Sequence, residues 1–322
     1  MKVLVTGGAG FIGSNLVESL LKNPQVEFVR VLDNLATGSI KNIEEFGSHS
    51  KFEFIQGDIR DYEACLNACD GIELISHQAA LGSVPRSIND PLTTNEVNST
   101  GTLNIFTAAK EKGIKRVVYA ASSSTYGDHP GLPKVEDKIG NPLSPYAVTK
   151  YVNELYAKVY ANVYGLQTIG LRYFNVFGPK QNPAGPYAAV IPLFIKAVLD
   201  NEPPTINGDG EHSRDFTYVA NAVHANECAL FTGNAEAVNE VYNVAIGERT
   251  SLNQLFEMIK EVAGSDLAPK YGPERKGDVK HSLADISKAK KLLAYNPSVS
   301  IKQGLETTFE WYRQHHHFSY ST

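Results

Sequence analysis

The chain has 322 residues, 42% of them hydrophobic, which allows one large domain or two smaller ones with a substantial core. The formal net charge is -5 and the Lys and Arg residues are dispersed, which excludes a basic surface for nucleic acid or a polybasic membrane patch and favours small-molecule partners. The three cysteines fit neither a disulfide framework nor the paired spacing of a zinc site.

Short β-rich runs alternate with amphipathic helical patterns from the first residue onward. This rhythm predicts an α/β fold with a doubly wound parallel sheet of the Rossmann type and helices on both of its faces. The predicted strands are residues 2–6, 28–33, 52–56, 74–77, 116–121 and 168–173. The predicted helices between them are residues 14–22, 62–69, 99–112 and 146–164.

Beyond Tyr173 the pattern changes, because Gly and Pro residues interrupt it. A strand-like run at 241–244 predicts a return to the sheet, and helices are predicted at 252–263 and 301–312. We therefore expect a smaller, discontinuous α/β lobe beside the sheet. The predicted division gives residues 1–175 plus about 216–243 to the doubly wound domain, and 176–215 plus 244–322 to the smaller lobe.

The first strand leads directly into a glycine-rich turn with Gly7, Gly10 and Gly13, and a helix follows. Such a turn lets the backbone approach a pyrophosphate, and the helix start offers free N–H groups to it. Asp33 ends the second strand, where a carboxylate accepts hydrogen bonds from ribose hydroxyls and repels a 2′-phosphate. The pattern predicts NAD rather than NADP. The predicted contacts also include Phe11, Ile12, Asn34, Asp58 and Ile59.

A second motif predicts the chemistry. Ser144 and Pro145 are typical of a helix start, and they place Tyr146 and Lys150 on one helix face. A nearby cation and the positive helix end would favour the phenolate, which makes a tyrosine a usable base. A serine cluster follows the fifth strand, at the edge where doubly wound sheets bind ligands, and it consists of Ser122, Ser123 and Ser124.

With these motifs in this order, the chain resembles the extended short-chain dehydrogenase/reductases that modify nucleotide sugars. The resemblance covers nearly the whole chain and includes the segments at 171–179, 214–216 and 275–278. It implies that Ser122 is the catalytic hydroxyl, that Tyr146 is the base and that Lys150 holds the nicotinamide ribose. It also implies cofactor contacts from Gln78, Ala79 and Tyr173.

The same resemblance assigns the substrate site. Asn175, Arg214 and Arg275 match positions that bind the nucleotide diphosphate, and a guanidinium fork suits phosphate oxygens. Asp278 matches the position that meets the uridine ribose. The remaining residues implied at the sugar and nucleotide are Ser83, Ser123, Ser124, Ala189, Val190 and Ser282.

The resemblance also separates reaction types. Dehydratases and decarboxylases of the family carry acidic residues just after the catalytic hydroxyl, whereas this chain has Ser123 and Ser124. The absence of acidic residues at these positions favours removal and return of a hydride at C4, which is epimerisation with tightly bound NAD. A small residue at 282, where glucose/galactose epimerases often have tyrosine, leaves room for an acetamido group. We therefore expect a UDP-GlcNAc/UDP-GalNAc 4-epimerase, with UDP-Glc/UDP-Gal left open as further substrates.

Three alternatives stay open. The same fold could act on UDP-GalNAcA or another UDP-hexuronate, with Arg86 as a partner for the carboxylate. A non-catalytic dinucleotide-binding sensor would be expected to lose the Tyr-Lys pair or the serine, and this chain keeps all three. A net reductase that releases NAD at each turnover is the third alternative.

The resemblance implies a homodimer formed through the predicted helices 99–112 and 146–164. The apolar run at the N-terminus is too short for the apolar region of a signal peptide, and no apolar run reaches membrane-spanning length. We therefore expect a cytoplasmic protein that binds neither membrane nor nucleic acid. The histidines at 315–317 lack further ligands at suitable spacing, and we assign no metal role to them.

Overall fold

The computed structural model describes residues 1–183, 188–274 and 280–315. Its centre is a seven-stranded sheet made of β1 (Lys2–Thr6), β2 (Phe28–Asp33), β3 (Phe52–Gln56), β4 (Leu74–His77), β5 (Arg116–Ser122), β6 (Gln167–Tyr173) and β11 (Glu240–Val244). The strands lie in the order β3-β2-β1-β4-β5-β6-β11, and every neighbouring pair is parallel. The predicted doubly wound α/β fold is confirmed.

Short strands lie outside the main sheet and pair two by two: β7 (Val176–Phe177) with β10 (Thr217–Tyr218), β8 (Thr205–Asn207) with β13 (Lys270–Gly272), and β9 (Ser213–Arg214) with β12 (Thr250–Ser251). The α-helices are α1 (Phe11–Lys22), α2 (Tyr62–Ala68), α3 (Val84–Asn89), α4 (Pro91–Asn95), α5 (Gly101–Glu111), α6 (Pro145–Tyr164), α7 (Val190–Leu199), α8 (Val219–Phe231), α9 (Leu252–Ala263), α10 (Ser287–Leu293) and α11 (Ile301–His315). A π-helical turn, Glu96–Thr100, precedes α5.

The sheet is covered on both faces because successive side chains of a strand point in opposite directions. In β1, Val3 and Val5 lie in the core that also contains α1 and α8, whereas Leu4 lies in a second core with Ile105 and Ala157 of α5 and α6. The continuous apolar runs of the strands are thus explained by burial on two sides.

The strand order reverses between β1 and β4, since the chain crosses from β3 at the edge back to β4. In such sheets, ligands bind in the crevice beyond the carboxyl ends of the strands at this point. The turns after β1, β4, β5 and β6 therefore form the expected binding edge. Within the described residues, no helix combines the length and apolar character needed to cross a bilayer.

Three helices differ from the prediction by two residues or more at one end, and one of them, α11, runs to His315 rather than to 312. The first helix begins at Phe11 rather than at 14, because the turn already ends at Gly10, the N-cap. The predicted helix 99–112 is the end of the π-helical turn followed by α5. The chain returns to the sheet through α8 and β11, and the division into two lobes at 175, 216 and 243 remains a proposal.

Candidate active site

The glycine turn after β1 brings two backbone segments into close contact. Gly7 has a φ of +69°, and a Cβ there would lie 2.6 Å from the backbone nitrogen of Ala79. A Cβ at Gly13 would lie 2.1 Å from the carbonyl oxygen of Gly7. The N-cap of α1, Gly10, has no side chain to satisfy the first-turn N–H groups, so they stay available to an anion.

A cavity of about 630 Å³ opens above this turn, a volume typical of a site for a cofactor-sized ligand. It collects residues from the ends of six strands of the main sheet. The predicted cofactor and catalytic residues that line it are Gly7, Gly10, Phe11, Ile12, Gly13, Asp33, Asn34, Ile59, Gln78, Ala79, Ser122, Tyr146, Lys150 and Tyr173. A glycine cradle that a Cβ would fill and a carboxylate at the end of β2 fit a dinucleotide.

Asp33 is held firmly at the edge of this cavity. One carboxylate oxygen accepts the N–H of Ala9 at 3.0 Å, and the other accepts the N–H of Leu35 at 2.8 Å. Burial raises the pKa of Asp33, and these two bonds oppose the change. Each carboxylate oxygen keeps a lone pair for a further donor such as a ribose hydroxyl.

Asp58 is the predicted cofactor residue that does not line this cavity, although Gly57 and Ile59 beside it do. Its carboxylate accepts hydrogen bonds from Asn34 at 2.8 Å and from Arg60 at 2.7 Å, which lower its pKa to about 2. The structure thus makes Asp58 a support for Asn34, and a direct contact with the cofactor stays a prediction.

The three predicted catalytic residues meet in the cavity. Ser122 ends β5, and Tyr146 lies in the first turn of α6, which Ser144 caps by accepting the N–H of Ala147 at 3.1 Å. The Ser122 side chain and the Tyr146 phenol lie close enough to interact, and both line the cavity. The Lys150 amine donates to the carbonyl oxygen of Ala120 at 2.9 Å and lies 5.9 Å from the Tyr146 ring centre.

The electrostatics of this group correct one expectation. We expected a lowered pKa for the Tyr146 phenol, but burial raises it, and the interaction with the Ser122 side chain only opposes that rise. The expected lowering is therefore wrong for the protein alone, because desolvation of the phenolate outweighs the help from its surroundings. Burial also lowers the pKa of Lys150, to about 8, so the amine still carries its charge at pH 7.

A second cavity, of about 490 Å³, adjoins the first. The two cavities share Val84, Ser123, Ser124 and Asn175, so they form one continuous cleft. Arg214 and Ser282 line the second cavity, as does Lys134, a buried lysine whose pKa burial lowers. None of the described residues that line it is an Asp or a Glu. Its charge suits an anionic ligand such as a nucleotide diphosphate.

Some predicted substrate residues lie elsewhere. Ser83 caps α3 and lines the first cavity but not the second, although its neighbour Val84 lines both. Ala189 and Val190 begin α7 and line neither cavity, and Arg86 lines neither. Arg275 and Asp278 lie outside the described residues, so their predicted roles stay predictions.

Sequence reasoning missed two features of the cleft. Lys134 belongs to the long connection between β5 and α6, where a single lysine gives no signal. Asn226 lies inside α8 and binds both Gln78 and Tyr173. A polar residue at a fully buried helix position is the signal that could have pointed to Asn226.

Comparison with known proteins agrees with this geometry. The family model of the NAD dependent epimerase/dehydratase family matches residues 3–245. A putative UDP-glucose 4-epimerase of Methanocaldococcus jannaschii is 40% identical over 312 residues, which cover 96% of this chain and 97% of that protein.

Two solved structures are also similar over almost their full lengths. The UDP-N-acetylglucosamine 4-epimerase from Methanobrevibacter ruminantium M1, in complex with UDP-N-acetylmuramic acid, has a TM-score of 0.92 and 41% identity, with 97% of this chain and 98% of that chain covered. The UDP-glucuronic acid 4-epimerase from Bacillus cereus, in complex with UDP-glucuronic acid and NAD, has a TM-score of 0.90 and 34% identity, with 98% and 99% covered.

The chain belongs to the NAD dependent epimerase/dehydratase family. This confirms the predicted family, the enzyme class of an NAD-dependent 4-epimerase and NAD as the cofactor. The roles of the individual residues are argued below from their geometry.

Proposed function

We propose that this protein, an NAD-dependent UDP-sugar 4-epimerase like its relatives, acts on UDP-N-acetylhexosamines and interconverts UDP-GlcNAc and UDP-GalNAc. The observation that carries the proposal is the second cavity, where the small residue Ser282 and the serines at 123 and 124 line the wall beside the catalytic group. Small side chains leave space for an acetamido group, whereas a tyrosine at 282 would fill it.

The mechanism follows from the positions of Tyr146, Ser122 and Lys150. When bound, NAD supplies the acceptor and then the donor of a hydride at C4 of the sugar. Tyr146 Oη takes the proton from the sugar 4-hydroxyl and later returns it. Ser122 lies beside that phenol and interacts with the same sugar hydroxyl. The charged Lys150 amine stabilises the phenolate that forms while the proton is away.

The residues after Ser122 support epimerisation rather than elimination. Ser123 and Ser124 continue directly from β5 and line both cavities. Neither side chain can act as the additional acid or base that loss of water or carbon dioxide requires. The proton and the hydride therefore return to the same sugar.

The substitution Ser282→Tyr tests the substrate assignment. The larger side chain should reduce kcat/KM for UDP-GlcNAc by about 10-fold or more, by analogy with the 1–3 kcal/mol that a misfit group costs in a pocket. Turnover of UDP-Glc should change by less than about threefold. Ser282→Ala is the matched control and should leave both substrates nearly unaffected. Equal losses on both substrates in Ser282→Tyr would contradict the assignment.

We also propose a homodimer in which α6 of one copy packs against α6 of another. The outer face of α6 carries an apolar stripe formed by Val148, Leu155, Val159 and Val163, with each side chain between 47% and 66% exposed. Their spacing of seven, four and four residues places them on one helix face. Such a contiguous apolar stripe on a 20-residue helix is typical of a covered interface.

Size-exclusion chromatography with light scattering checks this. The double variant Leu155→Glu, Val159→Glu should elute as a monomer, because two charges would be buried at the contact. Lys158→Glu, on the same helix and exposed, should remain a dimer. A wild-type protein that is monomeric at micromolar concentration would contradict the proposal.

A further inference from the structure

A closed set of hydrogen bonds lies directly beneath the cofactor cavity. Asn226, in the interior of α8, is fully buried. Its amide nitrogen donates to the Tyr173 hydroxyl at 2.7 Å and to the carbonyl oxygen of Ala222 at 2.8 Å. Its amide oxygen accepts from Ser76 at 3.1 Å and from Gln78 at 3.0 Å.

The partners of Asn226 are bonded to one another as well. The Tyr173 hydroxyl donates to the Gln78 amide oxygen at 3.0 Å, and the Gln78 amide nitrogen donates to Ser76 at 2.9 Å. Both hydrogens of each amide and the hydroxyl hydrogens of Ser76 and Tyr173 are thereby used. Only one orientation of the two amides satisfies every bond, so the set holds Gln78 and Tyr173 in one arrangement.

The set joins three separate parts of the fold. Ser76 lies in β4, Gln78 follows the end of that strand, and Tyr173 ends β6. Gln78 and Tyr173 both line the first cavity together with Tyr146 and Lys150, whereas Asn226 is not among its lining residues. Asn226 therefore acts on the cavity through the two side chains that it holds.

We propose that Asn226 is a positioning residue that fixes Gln78 and Tyr173 for cofactor binding, so that loss of its amide weakens retention of NAD. This inference rests on the proposed function only in taking the first cavity as the NAD site. A buried polar group left without a partner is unfavourable, and here the effect would fall on the side chains that border the cofactor.

Asn226→Asp tests the proposal because it keeps the size of the side chain and removes both amide hydrogens. A carboxylate oxygen would then face the carbonyl oxygen of Ala222 without a hydrogen between them. To donate to the new carboxylate, Tyr173 would have to turn its hydroxyl hydrogen away from Gln78. Asn221→Asp is the matched control. Asn221 lies in the same helix, is 1% exposed, and bonds to Val299 and Ser298, away from both cavities.

The measurements are the NAD content of the purified proteins, the NAD dissociation constant by titration calorimetry on cofactor-stripped protein, and the thermal midpoint. We expect at least a 10-fold weaker NAD affinity in Asn226→Asp and a change below threefold in Asn221→Asp, although both lose thermal stability. Asn226→Ala, which keeps a good helix former at the position, should show the same loss of affinity as Asn226→Asp.

Wild-type NAD affinity in both Asn226 variants would overturn the proposal. Equal losses of affinity in Asn221→Asp and Asn226→Asp would also overturn it, as would failure of both Asn226 variants to fold while Asn221→Asp folds, because the role would then be structural. These readouts need no sugar substrate. A wild-type protein that binds NAD but epimerises no UDP-sugar would contradict the proposed function and leave this test intact.

Discussion

Lys150 shows at the scale of one residue that the cavity holds a buried charge that costs stability. The residue is 4% exposed, and its amine donates to a neutral carbonyl oxygen, that of Ala120, rather than to a carboxylate. Burial lowers its pKa from 10.5 to about 8, so the unfolded chain binds the proton more tightly. Folding stability is therefore lost as the pH falls from 10.5 to 8, and below pH 8 the full cost of about 3 kcal/mol applies.

The variant Lys150→Met should separate the two properties. We expect it to be about 1–3 kcal/mol more stable than the wild type in urea denaturation at pH 7, since the buried charge is gone. The gain should shrink at pH 9.5, and epimerase activity should be lost. Lys158→Met, an exposed site on the same helix, should change stability by less than about 0.5 kcal/mol. A less stable Lys150→Met at pH 7 would show that the amine stabilises the fold.

His77 is also a buried base, but unlike Lys150 it is neutral. It lies at the end of β4, and burial, with the Lys150 charge as a smaller cause, lowers its pKa to about 3. The Thr102 hydroxyl donates its hydrogen to the backbone carbonyl oxygen of Asn98, so it accepts the hydrogen bond from His77 Nε2. On the other side of the ring, His77 Nδ1 accepts from the Thr6 hydroxyl at 2.6 Å. A neutral imidazole therefore fits every bond. The Lys150 charge is therefore not joined by a second positive charge at His77.

At the scale of elements, α6 is held against the sheet by a buried ion pair. Arg172 of β6 donates two hydrogen bonds to Glu154, at 2.9 and 2.7 Å, and both side chains are at most 6% exposed. Glu154 follows Lys150 by one turn of the helix, so this pair helps to set the position of the catalytic face. Breaking such a pair leaves an uncompensated buried charge.

Glu154→Gln should therefore cost about 3–5 kcal/mol of stability, measured by urea denaturation. The double variant Glu154→Gln, Arg172→Met should recover part of that loss, because no buried charge is left without a partner. Glu18→Gln provides the control, since it breaks an exposed pair with Lys22 and should cost less than about 1 kcal/mol. Additive losses in the double variant would rule out the coupling.

The elements also show what the sequence can predict. Strand bounds were predicted closely because apolar runs buried on both faces end at turn residues, as Lys2–Thr6 does before the glycines. Tyr146 and Lys150 could be predicted as a pair because their spacing lies within one helix, whereas the role of Ser122 was assigned by resemblance. Asn226 was missed because its partners Gln78 and Tyr173 are 148 and 53 residues away, a distance that only the folded sheet closes. Ala189 and Val190 were assigned by resemblance, and the structure places them outside both cavities.

At the scale of the whole molecule, one cleft leads from the glycine turn to Arg214 and Ser282 outside the main sheet. Residues at or after the ends of β1 to β6 line the first cavity, whereas residues 84–89 and 123–147 supply most of the second. Buried Asp215 holds segments of the later part of the chain together by accepting backbone N–H groups of Ile246, Gly247 and Ala284, each at 3.2 Å. Under the proposed function, a sugar that spans the two cavities lies beside the Tyr146 phenol.

The most direct test of the central claim is an epimerisation assay of the purified protein without added cofactor, on UDP-GlcNAc, UDP-Glc and UDP-GalNAcA separately. The account predicts conversion of UDP-GlcNAc to UDP-GalNAc, because NAD is regenerated in each cycle and stays bound. Conversion of UDP-GalNAcA alone would contradict the substrate assignment. No conversion of any of the three, even with NAD supplied, would contradict the epimerase itself.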